Sequence, residues 1–345
     1  MELQDGMEIA EPVEAQGSVV FDAGTKIDSK VIDRIKRHGV ICVTVKDKSD
    51  YATTHYEKIQ YDKDFQNFCD IYRNQLNIYK GTMISYMGTK QSIDSSVFMS
   101  IYESISSVIT TEGQLLDYIY NMTPNEDELT YTSSFNAALL CGTFANWLNL
   151  EPDEKKLLIL CGFYYDLGKW NIPNDILWKP GKLTEEEFAL VKRHPVSGYA
   201  IVRNDTNLNE HIKNCVIMHH ERYDGSGYPF RMKEEKIDKY ARYLAIIDTY
   251  IAMASPRSFR SAFTPLQIIG ILEEEKEKYD PQILIPILEK IADTQIGCKI
   301  ELSDGSVWEV IMIQKQKFSR PMLRGENDMI LDLISRPDLK IVRMV

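Results

Sequence analysis

Two adjacent histidines, His219 and His220, close an apolar run and open the stretch MHHERYDGSGYP, residues 218 to 229. In a chain with only six histidines, that pairing asks for a chemical reason. Three other polar residues keep equally apolar company. Asp166 follows LLILCGFYY, Asp248 sits inside YLAIIDTYIAMA, and His194 follows a helical segment that starts at Thr184. Polar groups in such surroundings need partners. Imidazoles and carboxylates together form the donor set of a divalent transition metal of the iron, manganese, nickel or zinc kind. Adjacent helical residues point about 100° apart, so His219 and His220 can share one ion only at a helix end. Each residue alone has a plainer explanation, since a lone Asp usually bonds backbone and a lone His is usually satisfied in the core. As a set on successive helices they favour a metal site. The glycines and proline of DGSGYP are also ordinary turn chemistry, so the loop is either punctuation or the rim of that site.

The elements that must position these residues are mostly helical. SSFNAALLCGTFANWLNL has apolar residues at helical intervals. PDEKKLLILCGFYYDLGK starts with Pro152 and acids in its first turn. Thr184 and Glu187 form a capping-box pattern ahead of FALVKRHPVSGYAIV. Further helices are expected at LNEHIKNCVIMHHE, KYARYLAIIDTYIAMAS, TPLQIIGILEEEKEKYD and PQILIPILEKIADT. At the start of the chain, GSVVFDAGTKI predicts strand, turn and strand, DSKVIDRIKRHG a short helix capped by Asp28, and VICVTV a strand. At the end, CKIELSDGSVWEVIMI predicts a hairpin around Asp304-Gly305, while DMILDLI and KIVRMV flank an Arg336-Pro337-Asp338 turn. The expected organisation is a small α/β module at 1–50, connecting helices at 51–110, a helical domain at 111–292 and a β-rich piece at 293–345.

Bulk properties narrow the partners. The 345 residues allow two or three structural units and a sizeable core. A net charge of −11 argues against a general DNA or RNA binder, because phosphate contacts need a basic face. Cys42, Cys69, Cys141, Cys161, Cys215 and Cys298 lie mostly among apolar neighbours without CxxC pairs, as reduced thiols of a cytoplasmic protein would. Neither a signal peptide nor a membrane span of ~20 apolar residues is expected.

The order of these residues resembles the HD-GYP branch of the HD-domain phosphohydrolases, enzymes that hydrolyse the bacterial second messenger cyclic di-GMP. YYDLGKWNIPNDILWKPGKLTEEEFALVKRHPVSGYAIV is similar to the family's His-Asp segment, HHERYDGSGYP to the motif that names the family, and ARYLAIIDTYIAMASPRSFRSAFTP to the segment with its last ligand. The likeness runs over about residues 120 to 292. It implies a mainly α fold: an HD-type helical domain, with the small α/β module before it and the β-rich piece after it as appendages. It also implies metal ligands at Asp166, His194, His219, His220 and Asp248. The loop Gly225, Gly227, Tyr228 and Pro229 becomes one wall of a nucleotide site. Lys169 matches the family's phosphate-contacting lysine beside the catalytic Asp166, and Arg257 and Arg260 match basic positions that grip the dinucleotide.

The chain departs from the family at three places. The early-helix histidine falls on Ser133, the histidine of the His-Asp pair is Tyr165, and an acid three residues after the final ligand is Ile251. Before position 194 the only histidines are His38 and His55, so no shift of alignment restores the missing ligands. The resemblance thus implies one full ligand set, Asp166, His194, His219 and His220, and a partner site reduced to Asp166 and Asp248. Two carboxylates suit a weakly held, hydrated magnesium or manganese ion. Phosphodiester cleavage draws on two ions ~3.5–4 Å apart for nucleophile and charge clamp. The expectation is one divalent transition metal (Fe, Mn, Ni or Zn), a second ion weak or absent, and weak or no hydrolysis of a bound cyclic dinucleotide. The alternatives are an active phosphodiesterase with an altered metal complement and a scaffold that binds nothing. Signalling would pass through the terminal modules, a protein partner or a homodimer built from the helices before residue 110, although no heptad pattern enforces the last.

Overall fold

The computed structural model describes residues 3, 6–15, 18–38, 40, 42–46, 54–122, 129–177, 179, 181–255 and 262–345. The chain divides into two compact units, Met1–Tyr61 and Asp62–Val345.

In the first unit, strands β1 (Val13–Ala15) and β2 (Ser18–Phe21) pair antiparallel, with Val13 opposite Phe21. Helix α1 (Ser29–Arg37) begins where the Asp28 carboxylate accepts the Val31 amide at 2.8 Å, as its sequence predicts. Ile9, Val13, Phe21, Ile27 and Ile35 form the core. Two stretches expected as strands contribute single bridges instead: Lys26 pairs with Glu8 and Val45 with Ile9. A short helix, α2 (His55–Gln60), starts at a Thr54–Glu57 capping box.

The second unit opens with α3 (Lys63–Thr89) and α4 (Ser95–Ser106), in the stretch expected to connect. α3 lies within the unit's core rather than beside it. Phe65, Phe68, Tyr72, Leu76, Tyr79, Met83 and Tyr86 recur at helical spacing and are all buried. Their hydroxyls find partners across the core: Tyr72 donates to Asn136 Oδ1 and Tyr79 to the Phe163 carbonyl, both at 2.7 Å. After α5 (Gln114–Asn121) come the two central helices, α6 (Leu129–Trp147) and α7 (Pro152–Tyr164). Phe135, Leu140, Phe144, Leu158, Ile159 and Phe163 have no exposed surface, so most of α6 and the second half of α7 are enclosed rather than amphipathic.

A 3-10 turn (Leu167–Asn171) leads through α8 (Asn174–Leu177) and α9 (Glu185–Val191) to α10 (His194–Val202), α11 (Glu210–Met218) and α12 (Lys239–Ala254). The Thr184–Glu187 capping box starts α9 as expected. After α13 (Pro265–Glu274) and α14 (Pro281–Asp293) the chain builds an antiparallel sheet. Its strands are β3 (Lys299–Leu302), β4 (Val307–Met312), β5 (Met322–Arg324), β6 (Ile330–Asp332) and β7 (Ile341–Met344). Their order is β6-β5-β4-β3-β7. The expected β3–β4 hairpin turns at Gly305, whose φ is +82°. Glu273 of α13 accepts the Phe318 amide at 2.6 Å, and Gln267 donates to the Ile341 carbonyl at 2.9 Å, which anchors the sheet to the helices. The chain is mainly α with a small strand pair first and a small sheet last. No helix among the described residues is long and apolar enough to cross a membrane.

Candidate metal centre

Asp166 sits at the end of α7, where the chain leaves the helix and enters the 3-10 turn. It is fully buried, and its Oδ2 pairs with Lys169 Nζ at 2.5 Å, one turn onward. Its other oxygen, Oδ1, faces His194 Nε2 at 3.3 Å and His219 Nε2 at 4.0 Å. His194 begins α10, and close packing delivers it to the turn. A Cβ on Gly168 would lie 1.9 Å from the His194 carbonyl oxygen, so only glycine lets these backbones meet. Ser197 reinforces the junction by donating to the Gly168 and His194 carbonyls at 3.3 and 3.1 Å.

The imidazoles are oriented by backbone carbonyls. His194 Nδ1 lies 2.7 Å from the Val191 oxygen, and His219 Nδ1 lies 3.1 Å from both the Cys215 and Val216 oxygens. A carbonyl only accepts, so each Nδ1 carries the proton and each Nε2 presents a lone pair. Those two Nε2 atoms face each other at 3.0 Å. Burial above all holds both rings neutral, lowering the pKa of His194 to about 2 and of His219 to about 4. Two lone pairs at that distance repel unless a cation lies beside them, so these residues fit a metal ion. His220 belongs to the same cluster: the ligand atoms of His194, His219 and His220 lie within 4.8 Å of one another. Burial and then the neighbouring His219 keep its pKa well below the ordinary value. Three neutral imidazoles and one carboxylate suit a borderline transition metal better than magnesium or calcium.

Asp248 of α12 has different company. Tyr165 donates its hydroxyl to Asp248 Oδ1 at 3.0 Å, and His220 Nδ1 lies 3.8 Å from Oδ2. Burial, followed by the charge of Asp248, holds the Tyr165 phenol well above its usual pKa. The phenol therefore stays protonated at neutral pH and acts as a hydrogen-bond donor, not as a phenolate ligand. Ser133 is partly buried on α6, and Ile251 is buried one turn beyond Asp248 on α12.

The loop after His220 folds back over the centre. The Tyr228 ring lies on the His220 ring at 4.7 Å and 26°, and its amide donates to the His220 carbonyl at 3.1 Å. Gly225 takes a φ of +80°, and the Tyr228-Pro229 peptide is cis. Gly227 lies against the chain before it, since a Cβ there would meet the Arg222 amide at 2.4 Å. Glu221 had no assigned role in the sequence. It is buried with 1% exposure and accepts the Phe230 and Met232 amides at 2.6 and 3.0 Å, pinning the loop from beneath. The one signal for it was an acid directly after two candidate ligands, ahead of a glycine turn. His194, His219 and His220 thus converge, with Asp166 against His194 and His219, Lys169 on Asp166, Asp248 near His220, and Tyr228, from the loop that carries Gly225, Gly227 and Pro229, stacked on His220. Arg257 and Arg260 lie outside the described residues.

A model of the HD domain matches residues 117–283. The cyclic di-GMP phosphodiesterase PA4108 of Pseudomonas aeruginosa is 32% identical over 222 residues, covering 64% of this chain and 53% of that protein. The 3'3'-cGAMP-specific phosphodiesterase 2 of Vibrio cholerae is 28% identical over 207 residues, covering 59% of this chain and 40% of that protein. The chain therefore spans about half, or less, of the length of these relatives. Among solved structures, Bd1817, a HDG"Y"P protein from Bdellovibrio bacteriovorus, gives a TM-score of 0.45 at 14% identity, over 83% of this chain and 95% of that one.

Proposed function

The chain belongs to the HD-GYP family of HD domains, and from that premise we propose that it is a degenerate member which binds a cyclic dinucleotide as a signalling module and hydrolyses it weakly or not at all. Relatives named for cyclic di-GMP and for 3'3'-cGAMP support the ligand class. Asp166, His194, His219 and His220 would hold one ion. Such an ion supplies positive charge for phosphate oxygens and acidifies water. Lys169 brings a fixed cation to the same place, and the Tyr228 loop forms a wall held by Glu221.

The observation that carries this reading is the hydrogen bond from Tyr165 to Asp248. At a dinuclear centre that carboxylate would face a cation; here it accepts a hydrogen bond from a phenol that stays protonated near neutrality. A neutral O–H satisfies the carboxylate without adding charge, so the cationic clamp on a phosphodiester is half complete.

Elemental analysis of the purified full chain tests the stoichiometry, with about one tightly held ion expected. Chromatography of cyclic di-GMP and 3'3'-cGAMP incubated with the manganese- or iron-loaded protein tests turnover. Two firmly held ions together with turnover at rates ordinary for enzymes would mean an active phosphodiesterase with an altered ligand set. Absence of any dinucleotide binding by calorimetry would mean a scaffold.

A further inference from the structure

On the α9–α10 side of the centre, Lys192 reaches toward the same loop. Its Nζ lies 4.4 Å from the ring centroid of Phe188 and 5.7 Å from that of Tyr228. Tyr228 in turn stacks on His220. The ammonium thus stands one aromatic ring beyond a candidate metal ligand, two residues before another, His194. The nearby acid Glu187 is occupied by Lys179 at 2.7 Å and by the Thr184 amide, also at 2.7 Å. Phe188 is 47% exposed, so the ammonium on its face is at the surface.

An aromatic face attracts an ammonium by its quadrupole but does not neutralise it, and the contact is worth about 0.5–1 kcal/mol at an exposed site. The rings therefore limit where a flexible lysine goes while leaving its N–H donors for an oxyanion. The ion and Lys169 bring positive charge inside the centre, and a ligand with two phosphate charges also gains from a cation at the rim. In a chain of net charge −11, such a cation is placed against the general electrostatic trend.

We propose that Lys192, positioned by the faces of Phe188 and Tyr228, contacts a phosphate of the bound cyclic dinucleotide. This rests on the function proposed above. Calorimetric titration of the metal-loaded full chain with cyclic di-GMP, and in parallel with 3'3'-cGAMP, tests it on wild type and on Lys192→Met, Lys192→Arg and Phe188→Leu. Lys192→Met keeps the stem and removes the charge, and should weaken binding by about tenfold or more. Lys192→Arg should stay within about threefold, and Phe188→Leu should fall between them. Metal content should be the same in all four proteins. Binding by Lys192→Met within about twofold of wild type overturns the assignment, as does loss of metal from that variant, which would make the lysine a structural support. Wild type that takes up neither dinucleotide would overturn the function proposed above, and this contact with it; wild-type binding with an indifferent Lys192→Met removes this contact alone.

Discussion

Gly168→Ala adds one carbon at the junction that carries His194 to Asp166. The new Cβ would lie 1.9 Å from the His194 carbonyl oxygen and 2.7 Å from the Gly198 amide nitrogen. A relaxed carbon–oxygen contact is about 3.3 Å, so the two backbones must separate by roughly 1.4 Å. Both obstacles are backbone atoms, and no rotamer change can relieve them. Overpacking of this kind costs about 1–3 kcal/mol. The displacement falls on the first residue of α10, which is the ligand itself, whereas metal sites tolerate about 0.2 Å. The expected result is a stability loss near the top of that range, with metal content falling from about one ion per chain to a small fraction of it. Urea unfolding followed by circular dichroism gives the first quantity, and elemental analysis of the same preparation gives the second. Gly198→Ala is the graded comparison. Its Cβ would meet the Val216 side chain at 2.8 Å and the Gly168 amide at 3.1 Å, and a side chain can move aside. Its effect should be smaller on both readouts. Gly168→Ala with wild-type metal content and an unchanged urea midpoint would show that this contact does not position His194, and the packing account of the centre would fail.

Three further outcomes follow from the same geometry. In metal-stripped protein, His194 and His219 stay neutral in the fold, with pKa values of about 2 and 4, while in the unfolded chain they protonate near 6.5. Their stabilisation is complete above pH 6.5 and is lost as the pH falls below it, by roughly 1–2 kcal/mol from each at pH 5.5; a urea midpoint that is flat between pH 7.5 and 5.5 would contradict this. Glu221→Ala leaves the Phe230 and Met232 amides without their acceptor and should cost about 2–4 kcal/mol, with faster amide hydrogen exchange across residues 228–232 as the measurement. Tyr165→His combined with Ser133→His should raise metal content toward two ions per chain and create or increase dinucleotide hydrolysis; a variant that folds yet gains neither would remove those two positions from the account of the missing site.

Much of this protein was legible in its linear order because the relevant physics is local. Asp28 capping α1, the Thr184–Glu187 box and the Asp304-Gly305 hairpin each depend on a few neighbouring residues. The ligand types were legible as well, since a carboxylate or imidazole inside an apolar helix must have a reason. Their convergence was expected there from the set and from the family resemblance, but its geometry was not legible. The Nε2 atoms meet at 3.0 Å because carbonyls at Val191, Cys215 and Val216 set each ring's tautomer, and because glycine at 168 lets α10 touch the turn. Tyr165 reads in sequence as an absent histidine; only the fold, which brings it to Asp248 across 83 residues, makes it a donor. Likewise α3 reads as a connector, because the spacing of Tyr72 and Tyr79 predicts a helix but not which core will receive its face. Short-range order follows from propensity and capping, whereas the tautomer, the charge state and the partner of each buried polar group follow from long-range packing, which sets what water each group loses and what it meets instead.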